Sequence, residues 1–86
     1  MGTKNNPGAY DCYDKALPDE PMFVLLARDP FAPTVLRWWA AQREDDIDAH
    51  IRPESDNAMV QEARKCADEM ESWRKVNNGA WRKPTE

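Results

Sequence analysis

Few residues in this chain have the types and spacing that catalysis requires. His50 is the only histidine, and it lies in a polar stretch close to Asp48 and Pro53. A nucleophilic site needs a base beside its nucleophile, and the few serines, Ser55 and Ser72, suit helix caps or helix surfaces. The three glycines form no phosphate-binding loop. The sequence therefore predicts that the protein is not an enzyme and has no catalytic residue.

The cysteines carry no sign of metal or disulfide chemistry. Cys12 and Cys66 are far apart, with no CxxC pair. We expect two free, buried thiols in a reducing cytoplasm, and neither a metal nor a cofactor. No apolar run reaches the length of about 18 residues that a membrane span needs, and MGTKNNPGAY lacks the apolar region of a secretory signal.

Acidic residues are the first candidate for function. Glu44, Asp45, Asp46 and Asp48 follow one another closely. Such a run can present a phosphate-like charge array to a basic protein surface. The alternative is a solvated connection between helices. The net charge of −4 disfavours direct binding to nucleic acid and favours a basic partner, or serves only solubility.

A pair of tryptophans is the second candidate. Trp38 and Trp39 are adjacent, and one helix does not easily bury both toward the same core. An exposed tryptophan is a typical interface anchor. The alternative is that Trp38 covers the edge of the core under the N-terminal arm. The predicted partner-binding residues are Trp38, Glu44, Asp45, Asp46 and Asp48.

The elements that would position these residues are mainly helical. The chain of 86 residues predicts a single domain, 1–86, with a flexible arm at 1–8 and a basic tail at 80–86. We expect a compact α domain of three to four helices. The first is a short helix over 10–17, ended by Pro18. The apolar stretch 22–28 is expected to be a short helix or, alternatively, a short strand that would pair with another chain.

Two longer helices are expected to form most of the core. The first starts at Asp29-Pro30 or, alternatively, afresh at Pro33 after Ala32. It is expected to end near Arg43, because the acidic run is unfavourable at a helix C-terminus. Ile47 or Ile51 is expected to fold back onto the core. The predicted buried face of this helix consists of Phe31, Val35, Leu36 and Trp39.

The second long helix starts at Ser55 or Asp56 and ends before Gly79. Its apolar residues alternate four and three positions apart, which is typical of a helix-packing seam. Small members of the seam would let another helix approach closely. The predicted seam consists of Met59, Ala63, Cys66, Met70, Trp73 and Asn77.

The strings LPDEPMFVLLARDPFAP, RWWA and EARKCADEMESWR resemble small proteins encoded in bacteriophage and prophage genomes. The resemblance covers roughly residues 17–75 and assigns no functional residue. It implies an accessory protein of the kind that often inhibits host defence, including anti-CRISPR proteins. The expected compartment is the cytoplasm of the infected bacterium.

We therefore expect a phage-derived interaction protein that inhibits a host defence complex of the CRISPR type by stoichiometric binding through its acidic surface. The partner would be a basic host protein or ribonucleoprotein, and the inhibitor a monomer or homodimer. One alternative is a sponge for a nucleotide signal, with Tyr10, Tyr13 and Trp81 as stacking residues. Another is a phage accessory or assembly protein.

Overall fold

The computed structural model describes residues 1–10 and 15–77, and it is mainly helical, as expected. Helix α1 spans Ala32–Asp48, a short 3-10 turn spans Glu54–Asp56, and helix α2 spans Asn57–Val76. The described residues thus form two α-helices, whereas the sequence predicted three to four. Half of the short helix expected over 10–17 lies outside the described residues, and the described positions 10 and 15–17 are not helical.

The two helices form an antiparallel hairpin. Arg37, near the start of α1, donates to Asp68 near the end of α2, with 2.8 Å between nitrogen and oxygen. Further along α1, Glu44 accepts from Arg64, which comes earlier in α2. Contacts that advance along α1 therefore move backwards along α2. The short connection 49–53 suits such an arrangement.

Small side chains fill the contact between the helices. Ala40 of α1 and Ala63 of α2 are completely buried and belong to one cluster with Val60 and Ile47. Alanine adds little bulk beyond the backbone, so the helix axes can approach closely. The alanines Ala32 and Ala67 are also fully buried. The hairpin is consequently held by a narrow alanine-rich line rather than by a wide aromatic core.

The predicted seam of α2 is displaced from the residues that the helix buries. The buried line is Val60, Ala63 and Ala67, and only Ala63 belongs to the prediction. Met59 and Met70 are half-buried, and Trp73 is exposed. The predicted seam was chosen mainly for its large side chains, whereas α2 packs its small side chains against α1. The true line is rotated by less than one residue step around the helix.

Helix α1 begins at Ala32, two residues after Pro30 and one before the alternative start at Pro33, and it ends five residues later than expected. A carboxylate oxygen of Asp29 accepts from the backbone N–H of Phe31 at 2.9 Å, so it assists the entry into the helix from outside it. At the other end, Ile47 is only 5% exposed and Glu44 is bonded to Arg64. These tertiary contacts outweigh the unfavourable acidic charge at the helix C-terminus. Of the two isoleucines, Ile47 joins the core and Ile51 is exposed.

A Schellman turn ends α1. His50 has a φ of 60°, in the left-handed region. Its N–H donates to the Ile47 carbonyl at 3.0 Å, and the Ile51 N–H donates to the Asp46 carbonyl at 2.8 Å. This pair of bonds satisfies carbonyls that the helix end leaves open. His50 therefore has a backbone role at the point where the chain reverses.

The stretch 22–28 forms neither the expected helix nor the alternative strand. A turn lies at each end of it. In the first turn the Glu20 N–H donates to the Leu17 carbonyl at 3.0 Å, and in the second the Asp29 N–H donates to the Leu26 carbonyl at 2.9 Å. Phe23 is 83% exposed. Prolines on both sides leave too few residues to nucleate a helix. No strand occurs among the described residues to pair with it.

The arm at 1–8 touches the hairpin at its first residue. The Met1 amino group lies 3.4 Å from a carboxylate oxygen of Glu62, and Met1 packs against the hairpin core. Thr3 and Asn6 close a tight turn through a backbone bond of 2.9 Å. The flexibility of this arm stays a prediction. The basic tail at 80–86 lies outside the described residues.

Candidate partner-binding surface

Three apolar side chains at the start and in the first half of α1 point away from α2. Phe31 is 71% exposed, Val35 is 45% exposed and Trp38 is 65% exposed. Spacings of four and three residues place them on one face of the helix. The core residues Ala40 and Ile47 lie on the opposite face. An apolar face that points away from its own core is a mark of an interaction site.

The same exposed line continues toward the C-terminus of α1. Gln42 and Asp45 follow Trp38 at the same alternating spacing, and both are exposed. We call this line the outer stripe, and it consists of Phe31, Val35, Trp38, Gln42 and Asp45. Its first part is apolar and its last residue is acidic. Asp48, also exposed, lies at the helix end one turn beyond.

The outer stripe corrects the predicted buried face of α1. Leu36 and Trp39 are half-buried, as expected, but Phe31 and Val35 are exposed. The helix buries Ala32, Pro33, Ala40 and Ile47 instead. A sequence signal for this choice existed, because Pro33, Ala40 and Ile47 are themselves spaced seven residues apart. Their small or ring-constrained side chains drew less weight than the aromatic residues did.

The two neighbouring tryptophans have different environments. Trp39 packs against the hairpin core, and the Arg43 guanidinium lies 5.2 Å from its ring centroid. That distance is typical of a cation–π contact. Trp38 points outward on the stripe. Its exposure favours the interface interpretation over a position at the edge of the core.

The structure divides the predicted acidic group. Asp45 and Asp48 are exposed and form no ion pair with any other described residue. Asp46 is half-buried, and its carbonyl belongs to the Schellman turn. Glu44 accepts two bonds from Arg64, of 2.8 and 3.2 Å. Trp38, Asp45 and Asp48 therefore share an accessible surface, whereas Glu44 faces α2.

Ion pairs between the helices balance the positive charges of Arg37 and Arg64. Arg37 bonds Glu71 and Asp68, and its hydrogen bond holds the pKa of Glu71 below the usual range. The Arg64 bond lowers the pKa of Glu44 in the same way. Because these guanidiniums are already matched by carboxylates, they do not offset the charge of Asp45. The exposed end of α1 is therefore acidic.

A third ion-pair cluster fixes the connection between the helices. Asp56 accepts from Arg52 at 2.9 Å and from Arg43 at 3.1 Å. Arg52 first, and Arg43 in addition, hold the pKa of Asp56 below its ordinary value. Arg43 also stacks on Trp39, so one side chain links α1, the aromatic ring and the connection. This cluster positions the acidic end of the outer stripe.

Metal-binding groups and membrane spans were the remaining possibilities to be checked in the described part of the chain. Within residues 1–10 and 15–77, no cluster of three or more His, Cys, Asp and Glu side chains is arranged to hold a metal ion. Cys66 is half-buried, and Cys12 lies outside the described residues. In the same ranges, no helix combines the length and apolar character needed to cross a membrane.

Compared with known proteins, the chain matches no family model, no curated protein and no solved structure.

Proposed function

We propose that this protein is a phage-derived inhibitor that binds a host defence complex of the CRISPR type with fixed stoichiometry. The resemblance of residues 17–75 to small phage proteins supports the origin. The outer stripe of α1 supports the mode of action, because binding requires one accessible patch on a stable body and no active site.

The observation that carries the proposal is the outward position of Phe31, Val35 and Trp38. Water contact with these side chains is unfavourable, at roughly 25 cal/mol for each Å² of apolar surface. Their burial by a partner would recover that free energy. Tryptophan is also among the residues that most often dominate interface energetics. The core cluster of the hairpin, which consists of Ala40, Ile47, Val60 and Ala63, does not include them.

The acidic end of the stripe supports a basic partner. Asp45 and Asp48 are exposed and accessible beside the apolar patch. A nucleic-acid groove in a defence complex carries lysine and arginine, so carboxylates placed there would compete with phosphate. Charge complementarity of this kind accelerates association and weakens as salt is added.

The experiment that tests the proposal is a pull-down from lysates of bacteria that carry CRISPR-type defence, with mass-spectrometric identification and measurement of stoichiometry. We expect a basic nucleic-acid-binding complex that co-elutes and dissociates at higher salt. The double change Asp45→Lys and Asp48→Lys should weaken this association at least tenfold. Its control is Glu54→Lys with Glu69→Lys, which alters net charge equally at other exposed positions.

Two results would contradict the proposal. One is unchanged affinity of the Asp45→Lys, Asp48→Lys variant for the captured complex. The other is recovery of no defence component, together with a rise in melting temperature on addition of a cyclic nucleotide, which is the behaviour of a nucleotide sponge.

A further inference from the structure

We propose that the outer stripe of α1 docks a single amphipathic helix of the partner, with basic residues at the end that lies over Asp45 and Asp48. This inference rests on the proposed function, since it specifies which element of the partner is recognised. It concerns the geometry of recognition, whereas the proposed function concerns the target.

The spacing of the stripe favours a helix as the occupant. Phe31, Val35, Trp38, Gln42 and Asp45 alternate four and three residues apart, which is the periodicity of a coiled-coil seam. A facing helix inserts its own apolar side chains between such residues, and this is a recurrent mode of peptide recognition. From Phe31 to Asp45 the stripe is about 21 Å long at 1.5 Å per residue. It therefore matches about four turns of a docked helix.

The distribution of charge sets the chemistry of that helix. The first three residues of the stripe are apolar, and Gln42 then leads to Asp45 and the nearby Asp48. A complementary helix carries apolar residues at heptad spacing along most of its length and arginine or lysine at one end. The ion pairs formed there would fix the register of the docked helix.

A second copy of the chain fits the stripe less well. In a parallel pair of α1 helices, Asp45 would face the Asp45 of the other copy. In an antiparallel pair centred on Trp38, Asp45 would face Phe31, which leaves a carboxylate against an aromatic ring. Either arrangement places like charges together or a charge without a partner, which is unfavourable. A helix with a basic end has neither defect.

Synthetic helices test the inference on the full chain. The first probe is a hydrocarbon-stapled helical peptide of about 18 residues. It carries leucines at the a and d positions of two successive heptads and three arginines at one end. The second replaces the arginines by glutamates. We expect the basic peptide to bind at least tenfold more tightly by isothermal titration calorimetry. Trp38→Ala should weaken binding of the basic peptide at least tenfold.

Charge reversal supplies the decisive comparison. The Asp45→Lys, Asp48→Lys variant should prefer the glutamate peptide, while the Glu54→Lys, Glu69→Lys control keeps the original preference. Circular dichroism of each variant verifies that the hairpin is intact. Absence of binding, or equal affinity for both peptides, would overturn the inference. So would sedimentation of the chain alone as a dimer that Trp38→Ala dissociates, because a second copy would then be the occupant.

These outcomes separate the inference from the proposed function. Peptide discrimination without inhibition of any defence complex would remove the proposed target and keep the helix-docking surface. Inhibition that depends on Trp38, without preference between the two peptides, would keep the inhibitor and remove the docked helix.

Discussion

His50 occupies a backbone conformation that glycine would adopt at lower cost. Its φ of 60° places it in the left-handed region, where a side chain costs about 1–2 kcal/mol relative to glycine. Glycine recovers this cost but loses about 0.5–1 kcal/mol through its greater freedom in the unfolded chain. We predict that His50→Gly raises the free energy of unfolding by about 0.5–1 kcal/mol. Urea denaturation measures this change.

The control for His50 is alanine, which has the same steric conflict and cannot gain. His50→Ala should therefore not be more stable than the natural chain. A His50→Gly variant that is less stable than His50→Ala would show that the turn does not require the left-handed conformation.

Ala63 tests whether the helices really meet through small side chains. It is 0% exposed and lies in the core cluster with Ala40. A leucine there would separate the helices or strain neighbouring side chains, at a cost of about 1–3 kcal/mol. We predict this loss for Ala63→Leu by urea denaturation. Ala58→Leu, at an exposed position near the start of the same helix, should change stability little. Equal effects would contradict the alanine-rich contact.

Single residues were also where sequence reasoning was weakest. It recognised that one helix does not easily bury both Trp38 and Trp39 toward the same core, which follows from helical geometry. It misplaced Phe31 and Val35, because large apolar residues are usually buried and the seven-residue spacing of smaller side chains on the opposite face was given too little weight. Which face a helix buries depends on its neighbour, and α2 offers alanines rather than a wide apolar surface.

At the level of elements, paired carboxylates should make the hairpin sensitive to acid. Glu44 and Glu71 have lowered pKa values through their arginine bonds, as does Asp56. A carboxylate with a lowered folded pKa stabilises the fold above its unfolded pKa, near 4. That contribution is lost as the pH falls through the folded pKa. We predict constant ion-pair stabilisation above about pH 5.5 and a decline below about pH 4.5.

The double variant Glu44→Gln, Glu71→Gln should flatten this acid decline, since neither glutamine titrates. Melting temperatures measured between about pH 3 and 6 give the slope. Glu69→Gln, which removes an exposed glutamate outside these pairs, serves as the matched control. Identical slopes for the double variant and the natural chain would show that the interhelical pairs do not control the acid response.

The stretch 22–28 is the element for which the structure departs most from expectation. Because the Phe23 side chain is exposed and lies outside the helices, it should contribute little to the free energy of unfolding. We predict that Phe23→Ser changes the free energy of unfolding by less than about 0.5 kcal/mol. A loss above about 3 kcal/mol, as for an aromatic residue removed from a core, would indicate that this stretch packs as a core element.

The helical elements were the most predictable part of the fold. Periodicity and capping residues located α1 and α2, although their ends shifted. The prediction that α1 ends near Arg43 was wrong. The unfavourable interaction of the acidic run with the helix C-terminus is weaker than the stabilisation gained by burying Ile47. The stretch 22–28 was wrong because apolar composition does not create a partner to pack against. The candidate site was predictable in composition, through Trp38 and the acidic run, but its apolar extension to Phe31 and Val35 was not.

At the scale of the whole molecule, the hairpin separates stability from recognition. Alanines and arginine–carboxylate pairs hold α1 to α2, while the outer stripe and its acidic end face solvent. A substitution on the stripe should therefore affect binding without affecting folding.

The most direct measurement is phage plating on CRISPR-immune bacteria that express either the natural chain or Trp38→Ala, combined with melting temperatures of both purified proteins. Ile51→Ala is the matched control, because it removes an exposed apolar side chain away from the outer stripe. We predict that the natural chain and Ile51→Ala restore plating. Trp38→Ala should lose at least tenfold of this effect with an unchanged melting temperature. Full restoration of plating by a folded Trp38→Ala protein would contradict the account.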